Sequence, residues 1–331
     1  MKAVSDNLTI KEIWEYYNAD LKAAEDRMQE ILAPVAPAIN AVGNHIFSAG
    51  GKRVRPFLAI LSAKLFGKNG DDISTLASSV EFIHAASLIH DDIVDGADLR
   101  RGKPSAHSLW GNQVVVLVGD FLYSNALRLA NLLQKQQVMD ALCTATAKMS
   151  EGELIQLSKQ GDPDITEEDY MKIIQGKTAI LMSAACKGGA VIGGGTDEEV
   201  NALAKFGLNF GFTFQIADDI LDYTAEEKVF GKTLGKDLEE GKTTLPLIYM
   251  LRDTNKSETT RVKEIISAEV VTEKDLVDIL EMLKKHKSIE NASARAAELL
   301  EEGKAGLDRF DDSMEKRSLL AIADYALERK K

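Results

Sequence analysis

The sequence is poor in proline and in cysteine, and it has no excess of positive charge. Only six prolines occur in 331 residues, whereas Ala, Leu, Glu and Lys are abundant, and this composition favours an all-α fold. Two cysteines far apart, Cys143 and Cys186, argue against a disulfide framework or a zinc site; we expect both to be small core residues in a reducing compartment. The formal net charge of −12 argues against nonspecific nucleic-acid binding, which requires a basic surface.

Long apolar runs and an export signal are missing as well. No apolar run reaches the about 20 residues of a membrane-spanning helix, and residues 1–9 do not follow the basic-then-apolar plan of a signal peptide. We therefore expect a cytosolic protein without a transmembrane segment. The length allows either one large domain or two.

Two acidic pentads share one spacing: Asp91-Asp92-Ile93-Val94-Asp95 (the first pentad) and Asp218-Asp219-Ile220-Leu221-Asp222 (the second pentad). On a helix the first and last Asp of each would lie on one face, one turn apart. Either pentad alone is equally well interpreted as a solvated helix turn. Two copies inside apolar segments, where lone carboxylates are costly to desolvate, favour a site for Mg²⁺, which shares its ligand positions with phosphate.

Basic, glycine-bearing segments accompany the pentads. Gly50–Pro56 carries three cations directly before a helix predicted at 57–66, and helix starts and Arg side chains both bind phosphate oxygens. Basic loops also follow each pentad, at 100–103 and 231–242. Salt-bridged helix ends and phosphate binding are compatible interpretations of these loops. In an acidic chain with two metal-type pentads, diphosphate binding is the favoured hypothesis.

Several single polar residues leave alternatives open. His84 lies about two turns before the first pentad on its acidic face, and it is either a half-buried packed histidine or a phosphate donor. Gln215 shares a face with Asp218, where its amide dipole could meet a developing charge. Lys177 in mid-helix would ordinarily extend to solvent, and Glu153 shows no partner.

Local signals predict where helices begin. Capping boxes at Thr9–Glu12 and Thr196–Glu199 predict two helix starts, the first of a helix that runs to about Leu32. Thr166 predicts the start of a helix to Ala190. The polar run Ser257–Thr260 predicts a loop.

Taken together, Gly50–Pro56, Phe82–His107 and Gly211–Pro246 resemble the motif set of the trans-prenyl diphosphate synthases. The resemblance implies one all-α domain over residues 1–331, a large and usually homodimeric helical bundle around a central cavity, with both pentads at its mouth. It also implies that an allylic diphosphate ionises, that isopentenyl diphosphate attacks the cation, and that a proton then leaves. Cations and metals would stabilise the departing diphosphate, and a dry pocket with oriented dipoles would suit the carbocation.

The resemblance further assigns roles to residues. About three Mg²⁺ per active site would be held by Asp91, Asp92, Asp95, Asp218, Asp219 and Asp222. The allylic diphosphate would be contacted by Arg100, Lys177 and Lys232, with Lys242 as a weaker candidate. Isopentenyl diphosphate would be bound by Lys52, Arg55, His84 and Arg101. Thr178 and Gln215 would steady the cation. The expected catalytic set is Lys177, Thr178, Gln215, Asp91 and Asp218.

The small residues Ala86 and Ser87 before the first pentad indicate the length of the product. Ser87 lies one turn before Asp91 on the same face, so it leaves a product tunnel open below the metals; a tunnel role of Ala86 rests on the resemblance alone. A long product of octaprenyl size follows, primed by farnesyl or geranyl diphosphate and suited to a quinone side-chain pathway. The alternatives are a short-chain (geranylgeranyl or farnesyl) synthase, a terpene cyclase and a noncatalytic partner subunit, although intact pentads and a second diphosphate clamp favour condensation.

Overall fold

The computed structural model describes residues 9–48, 50–100, 102–224, 234–268 and 270–328, and helices occupy most of these ranges. The predicted all-α fold is confirmed. The chain divides into two compact units. Unit 1 comprises Met1–Thr146, Leu181–Gly207 and Leu307–Ala321. Unit 2 comprises Ala147–Ile180, Leu208–Gly306 and Ile322–Lys331. No helix within the described ranges is both long and apolar enough to span a membrane.

The first seven helices belong to unit 1. They are α1 (Ile10–Tyr16), α2 (Asn18–Leu32), α3 (Pro37–Ser48), α4 (Val54–Lys64), α5 (Asp71–Val94), α6 (Ala106–Trp110) and α7 (Asn112–Leu132). Helix α5 packs against α2, α4 and, most extensively, α7. Gly119 of α7 permits this approach, because a Cβ there would come within 2.0 Å of His90 Nε2. Close packing on several sides fixes α5, the helix that carries most of the first pentad.

The next helices run through both units. They are α8 (Gln136–Lys159), α9 (Glu167–Ile174), α10 (Ile180–Gly193) and α11 (Asp197–Thr224). A π-turn, Gln175–Ala179, joins α9 to α10, and the Ile180 N–H donates to the Gln175 carbonyl five residues back. Gly152 and Gly176 lie against each other where α8 crosses this turn. Single π-turns inside helices frequently mark functional sites.

The remaining described elements complete the chain. They are α12 (Lys236–Glu239), α13 (Leu245–Asp253), α14 (Lys256–Ile266), α15 (Glu273–Lys285), α16 (Ser288–Lys304), a 3₁₀ turn (Ala305–Arg309) and α17 (Met314–Glu328). Two apolar clusters hold unit 2 together, one around Phe212, Ile216 and Ile248 and one around Leu247 and Ile279. The first cluster packs around the middle of α11, just before the second pentad.

Most predicted helix starts are confirmed, and three local predictions are wrong. Thr9, Thr166 and Thr196 all make the expected capping bonds. The first helix is interrupted at Tyr17, where the backbone leaves helical geometry. The predicted loop Ser257–Thr260 lies inside α14, because Asn255 and Glu258 form a capping box that starts the helix there. Cys143 is exposed on α8, and only Cys186 is a core residue as predicted.

Candidate active site

The first pentad lies at the end of α5 and divides into outer and middle carboxylates. Asp95 caps the helix, and its N–H donates to the Asp91 carbonyl at 2.8 Å, so these two outer residues are one turn apart on one face. Asp92 is 2% exposed. Both of its oxygens accept from Arg100 Nε, at 2.8 and 2.7 Å. Arg100 therefore neutralises a buried carboxylate, which would be costly to leave alone.

Arg100 is presented by a short antiparallel ladder. Leu99–Arg100 pairs with Lys103–Pro104, and the turn between them contains Gly102 in a left-handed conformation that favours glycine (φ 74°). Arg101, the predicted isopentenyl diphosphate ligand, lies outside the described residues. The ladder thus brings Arg100 back onto the first pentad.

The basic segment before α4 separates into structural and site-type cations. Arg53 is mostly buried and holds Glu81 at 2.5 Å, Glu25 at 3.3 Å and the Phe47 carbonyl at 2.8 Å. Arg55, two residues on, places Nη1 3.2 Å from His84 Nε2. Lys52 is exposed. Two of the predicted isopentenyl diphosphate ligands are therefore neighbours in unit 1, and Arg53 is a structural residue.

The two small residues proposed to control product length differ in exposure. Ala86 is fully buried. Ser87 is half-buried, and its hydroxyl donates to the His84 carbonyl at 2.9 Å. Of the two, Ser87 is the partly exposed one, and its hydroxyl is bonded to the backbone of the predicted ligand His84.

The second pentad also has a buried middle carboxylate. Asp219 is 4% exposed, whereas Asp218 and Asp222 are half-buried. Asp219 Oδ2 accepts from the Tyr170 hydroxyl at 2.6 Å, and Asp219 Oδ1 accepts from Gln215 Nε2 at 2.8 Å. Burial raises the pKa of Asp219 well above its usual range and Asp237 adds to this effect, while the two donors oppose it.

The hydrogen bonds continue from Gln215 to the π-turn. Thr178 donates to Gln215 Oε1 at 2.6 Å. Lys177, the preceding residue, donates to Gln156 Oε1 at 3.2 Å and forms an ion pair with Glu153 at 3.6 Å. Lys177 is thus a half-buried, partnered lysine, and Glu153 has the partner that the sequence did not reveal. The predicted residues Thr178 and Gln215 are brought together by the fold.

A small cavity of about 110 Å³ lies beside these residues in unit 2, and its polar lining includes Lys177, Gln215, Asp219, Asp237 and Lys242. Burial, and then the neighbouring Asp222, raise the pKa of Asp237 to about 6. Asp222 Oδ2 accepts from the Asp237 N–H at 3.0 Å. Lys242 donates to Glu240 at 2.6 Å. Lys232, the other predicted ligand in this loop, lies outside the described residues.

The donor chemistry fits a hard divalent cation. In the described part of the chain, no three carboxylate, imidazole or thiol side chains form a ready metal cage. Mg²⁺ is usually bound by one or two carboxylates together with water and substrate phosphate. Each pentad offers that set, because its outer aspartates share a helix face while its middle aspartate is held by protein donors.

Tyr170 and Asp237 are candidate site residues that sequence reasoning missed. Tyr170 is buried and Asp237 is half-buried, and both lie beside the second pentad. Tyr170 lies on the buried face of α9 with Ile173 and Ile174, and it resembles an ordinary core tyrosine in the sequence. The one available signal was the apolar setting of Asp219, since a carboxylate buried there requires donors.

Comparison with known proteins places this geometry in a family. The family described as polyprenyl synthetase matches residues 36–283. This chain belongs to the polyprenyl synthetase family. An octaprenyl diphosphate synthase from Haemophilus influenzae is 36% identical over 98% of both chains. A geranylgeranyl diphosphate synthase from Methanosarcina mazei is 35% identical over 94% of this chain and 95% of its own.

Solved structures of the same family share the fold. A polyprenyl synthase from Caulobacter crescentus, crystallised with calcium and isoprenyl diphosphate, superposes with a TM-score of 0.92 at 34% identity, over 99% of this chain and 100% of that one. The fold is therefore the all-α fold of the isoprenyl synthases. As a member of this family the chain is an enzyme, a prenyltransferase of the polyprenyl diphosphate synthase type.

Proposed function

We propose that the enzyme adds isopentenyl diphosphate repeatedly to farnesyl or geranyl diphosphate and releases an all-trans polyprenyl diphosphate of octaprenyl size for quinone side chains. The observation that carries the proposal is the joined set Thr178, Gln215 and Asp219. In this set the Thr178 hydroxyl oxygen and the Gln215 carbonyl oxygen, both neutral, lie beside the second pentad, which has metal-type spacing. Such an arrangement suits a reaction that builds a carbocation next to a departing diphosphate.

Each condensation exchanges one bond for another. The allylic C–O bond breaks and its electrons leave with the diphosphate, the isopentenyl double bond attacks the allylic carbon, and a proton is lost to restore a double bond. Bound Mg²⁺, about three ions, would neutralise the diphosphate as it leaves. The ions would be held by Asp91, Asp92, Asp95, Asp218, Asp219 and Asp222. Asp92 and Asp219 are oriented by Arg100 and by Tyr170 with Gln215.

The cations divide between the two substrates. Arg55 and His84, 3.2 Å apart, together with Lys52 and Arg101, bind isopentenyl diphosphate in this proposal. Arg100, Lys177 and Lys232 contact the allylic diphosphate, and Lys242 is a weaker contact. Thr178 and Gln215 turn oxygen lone pairs toward the cation.

A direct assay tests this function. The purified chain is incubated with Mg²⁺, farnesyl diphosphate and radiolabelled isopentenyl diphosphate, and the dephosphorylated products are sized by chromatography. We expect one dominant polyprenol of octaprenyl size and loss of the product when EDTA removes the metal. Absence of any incorporation would overturn the prenyl transfer proposal, and a product extended by a single unit would overturn the proposed length.

A short-chain product is the second candidate, because similar relatives include a geranylgeranyl diphosphate synthase. Ser87→Phe distinguishes the long-chain from the short-chain product, since it adds an aromatic ring at a half-buried position one turn before Asp91. We expect it to shorten the product while the rate of the first condensation changes by only a few-fold. Ser87→Ala is the matched control, since it removes the hydroxyl without adding bulk and should keep the product length. An unchanged product length in Ser87→Phe would contradict the placement of this residue at the tunnel.

We also propose that the enzyme is a homodimer that works in the cytosol. Exposed apolar side chains on α6 and α7, Leu109, Val116 and Leu117, support association with a second copy. The free thiols of Cys143 and Cys186 support a reducing compartment.

A further inference from the structure

Tyr170 lies in the core of unit 2, but its hydroxyl is used for a specific polar contact. The residue is 3% exposed and packs with Ile173, Phe212 and Ile216 in one apolar cluster. From this cluster the hydroxyl donates to Asp219 Oδ2 at 2.6 Å. The ring therefore has the stability role of a core residue, and the hydroxyl is directed at the second pentad.

Hydrogen bonds link this hydroxyl to Thr178 in a fixed direction. Tyr170 and the Gln215 amide nitrogen donate to the two oxygens of Asp219. Because both Asp219 oxygens accept and the Gln215 amide nitrogen is the donor to one of them, the Gln215 carbonyl oxygen faces the other way. It accepts from the Thr178 hydroxyl at 2.6 Å. The proton of Thr178 is thereby committed to Gln215, and its remaining lone pairs are available to an electron-poor centre.

The direction matters because the same groups would oppose the reaction if they were reversed. An amide nitrogen or a hydroxyl proton turned toward a carbocation would repel it, whereas oxygen lone pairs stabilise it. Lys177 and Lys242 line the cavity next to Asp219. Without the Tyr170 hydroxyl, the Asp219 carboxylate can turn toward these ammonium groups in the same cavity. Gln215 would then lose the fixed acceptor for its amide nitrogen.

We propose that Tyr170 is a positioning residue for prenyl transfer, which acts through Asp219 and Gln215 to fix the orientation of the Thr178 hydroxyl. The assignment rests on the proposed function, since it concerns the step in which the allylic cation forms. Tyr170 touches no reacting atom in this proposal. Its contribution is to hold three side chains from α11 and the π-turn in one arrangement.

Tyr170→Phe tests the assignment, because it keeps the ring in the apolar cluster and deletes only the hydroxyl. Removing such an outer partner of a site group typically costs about 10- to 100-fold, so we expect kcat for isopentenyl incorporation to fall by that factor. The KM for isopentenyl diphosphate should stay within about two-fold, since Arg55 and His84 are untouched. Tyr249→Phe is the matched control. It deletes a hydroxyl of unit 2 that also donates to a carboxylate, Glu167, at 3.2 Å, outside the chain to Thr178.

Thermal unfolding separates this role from a loss of fold. Tyr170→Phe is expected to retain a cooperative transition with a Tm close to that of Tyr249→Phe, while only Tyr170→Phe loses kcat. Equal kcat values for Tyr170→Phe and Tyr249→Phe would overturn the assignment. The proposed function would still hold, because the parent enzyme would be active. A parent enzyme that incorporates no isopentenyl unit would overturn the proposed function and, with it, the assignment.

A double-substitution experiment keeps the test decisive if Tyr170→Phe is less stable than expected. In a Thr178→Val background the end of the hydrogen-bonded chain is already missing. Adding Tyr170→Phe should then lower kcat by no more than about three-fold, because coupled residues do not contribute independently. A full additional 10- to 100-fold loss would show that Tyr170 acts by another route, and the assignment would fail.

Discussion

Lys52 and Arg53 are adjacent in sequence but differ in burial and in role. The side chains of Arg53 and Glu81 are 15% and 5% exposed, and they form an ion pair at 2.5 Å. Removing one partner of a buried pair leaves the other charge uncompensated, at a cost of about 3–5 kcal/mol. We therefore expect Arg53→Met to lower the free energy of unfolding by about 3 kcal/mol in urea denaturation.

Lys52→Met is the matched control for this experiment. Lys52 is exposed, so its loss should change the free energy of unfolding by no more than about 0.5 kcal/mol. Its expected effect is a higher KM for isopentenyl diphosphate. Equal stability losses in the two variants would contradict the separation of structural and site-type cations.

The raised pKa of Asp237 predicts how the stability of the folded protein depends on pH. Burial raises its pKa to about 6, so the folded chain binds this proton more tightly than the unfolded chain does. The resulting stabilisation is fully present below the usual aspartate pKa and is lost as the pH rises through 6, a difference of about 3 kcal/mol. Asp237→Asn cannot ionise. In magnesium-free denaturation the variant should match the parent near pH 4 and be more stable by up to about 3 kcal/mol at pH 7. Parallel curves for the two proteins would contradict this interpretation of Asp237.

At the scale of elements, the crossing of α8 and the π-turn depends on a glycine pair. A Cβ on Gly176 would lie 2.6 Å from the Lys148 carbonyl oxygen and 2.7 Å from Gly152 Cα. Backbone cannot yield at such distances without moving the turn that carries Lys177 and Thr178. We expect Gly176→Ala to cost about 1–3 kcal/mol of stability and about 100-fold in kcat, since small displacements of reacting groups are costly.

Gly189→Ala is the matched control for the displaced turn. A Cβ there would lie 2.5 Å from the Ala59 carbonyl oxygen, an equally close approach between α10 and α4. The stability loss should be comparable, as measured by thermal unfolding, while kcat should change by only a few-fold. Similar kcat losses in both variants would mean that reduced stability, not the position of the turn, limits activity.

The helix starts show which parts of the fold local sequence signals can predict. The boxes at Thr9 and Thr196 were predictable because the partners are three residues apart. The box at Asn255 starts α14 in the same way, yet the polar run after it was predicted as a loop. A capping residue outweighed composition there, because satisfying free N–H groups decides where a marginal helix begins.

At the scale of the whole molecule, contacts that join distant segments were the hardest to predict. The family motifs carried Arg55, His84, Thr178 and Gln215 as separate candidates, and the structure brings them into two pairs. The partner of Lys177 and the role of Tyr170 were not predictable. Each depends on how α8 or α9 packs against another helix, which side-chain periodicity along one helix does not specify.

The proposed homodimer depends on the exposed apolar surface of unit 1. Leu117 and Val116 of α7 are 67% and 40% exposed, and exposed apolar residues that are neighbours on one helix are typical of an interface between copies. In size-exclusion chromatography with light scattering, the parent should have twice the 36.2 kDa mass of one chain. Leu117→Asp buries a charge at that interface and should shift the protein to the mass of one chain at micromolar concentration. Val277→Asp, a change at a residue of α15 in unit 2 that is 52% exposed, should leave the dimer intact. A parent protein with the mass of one chain, or dissociation by both substitutions alike, would contradict an interface at α7.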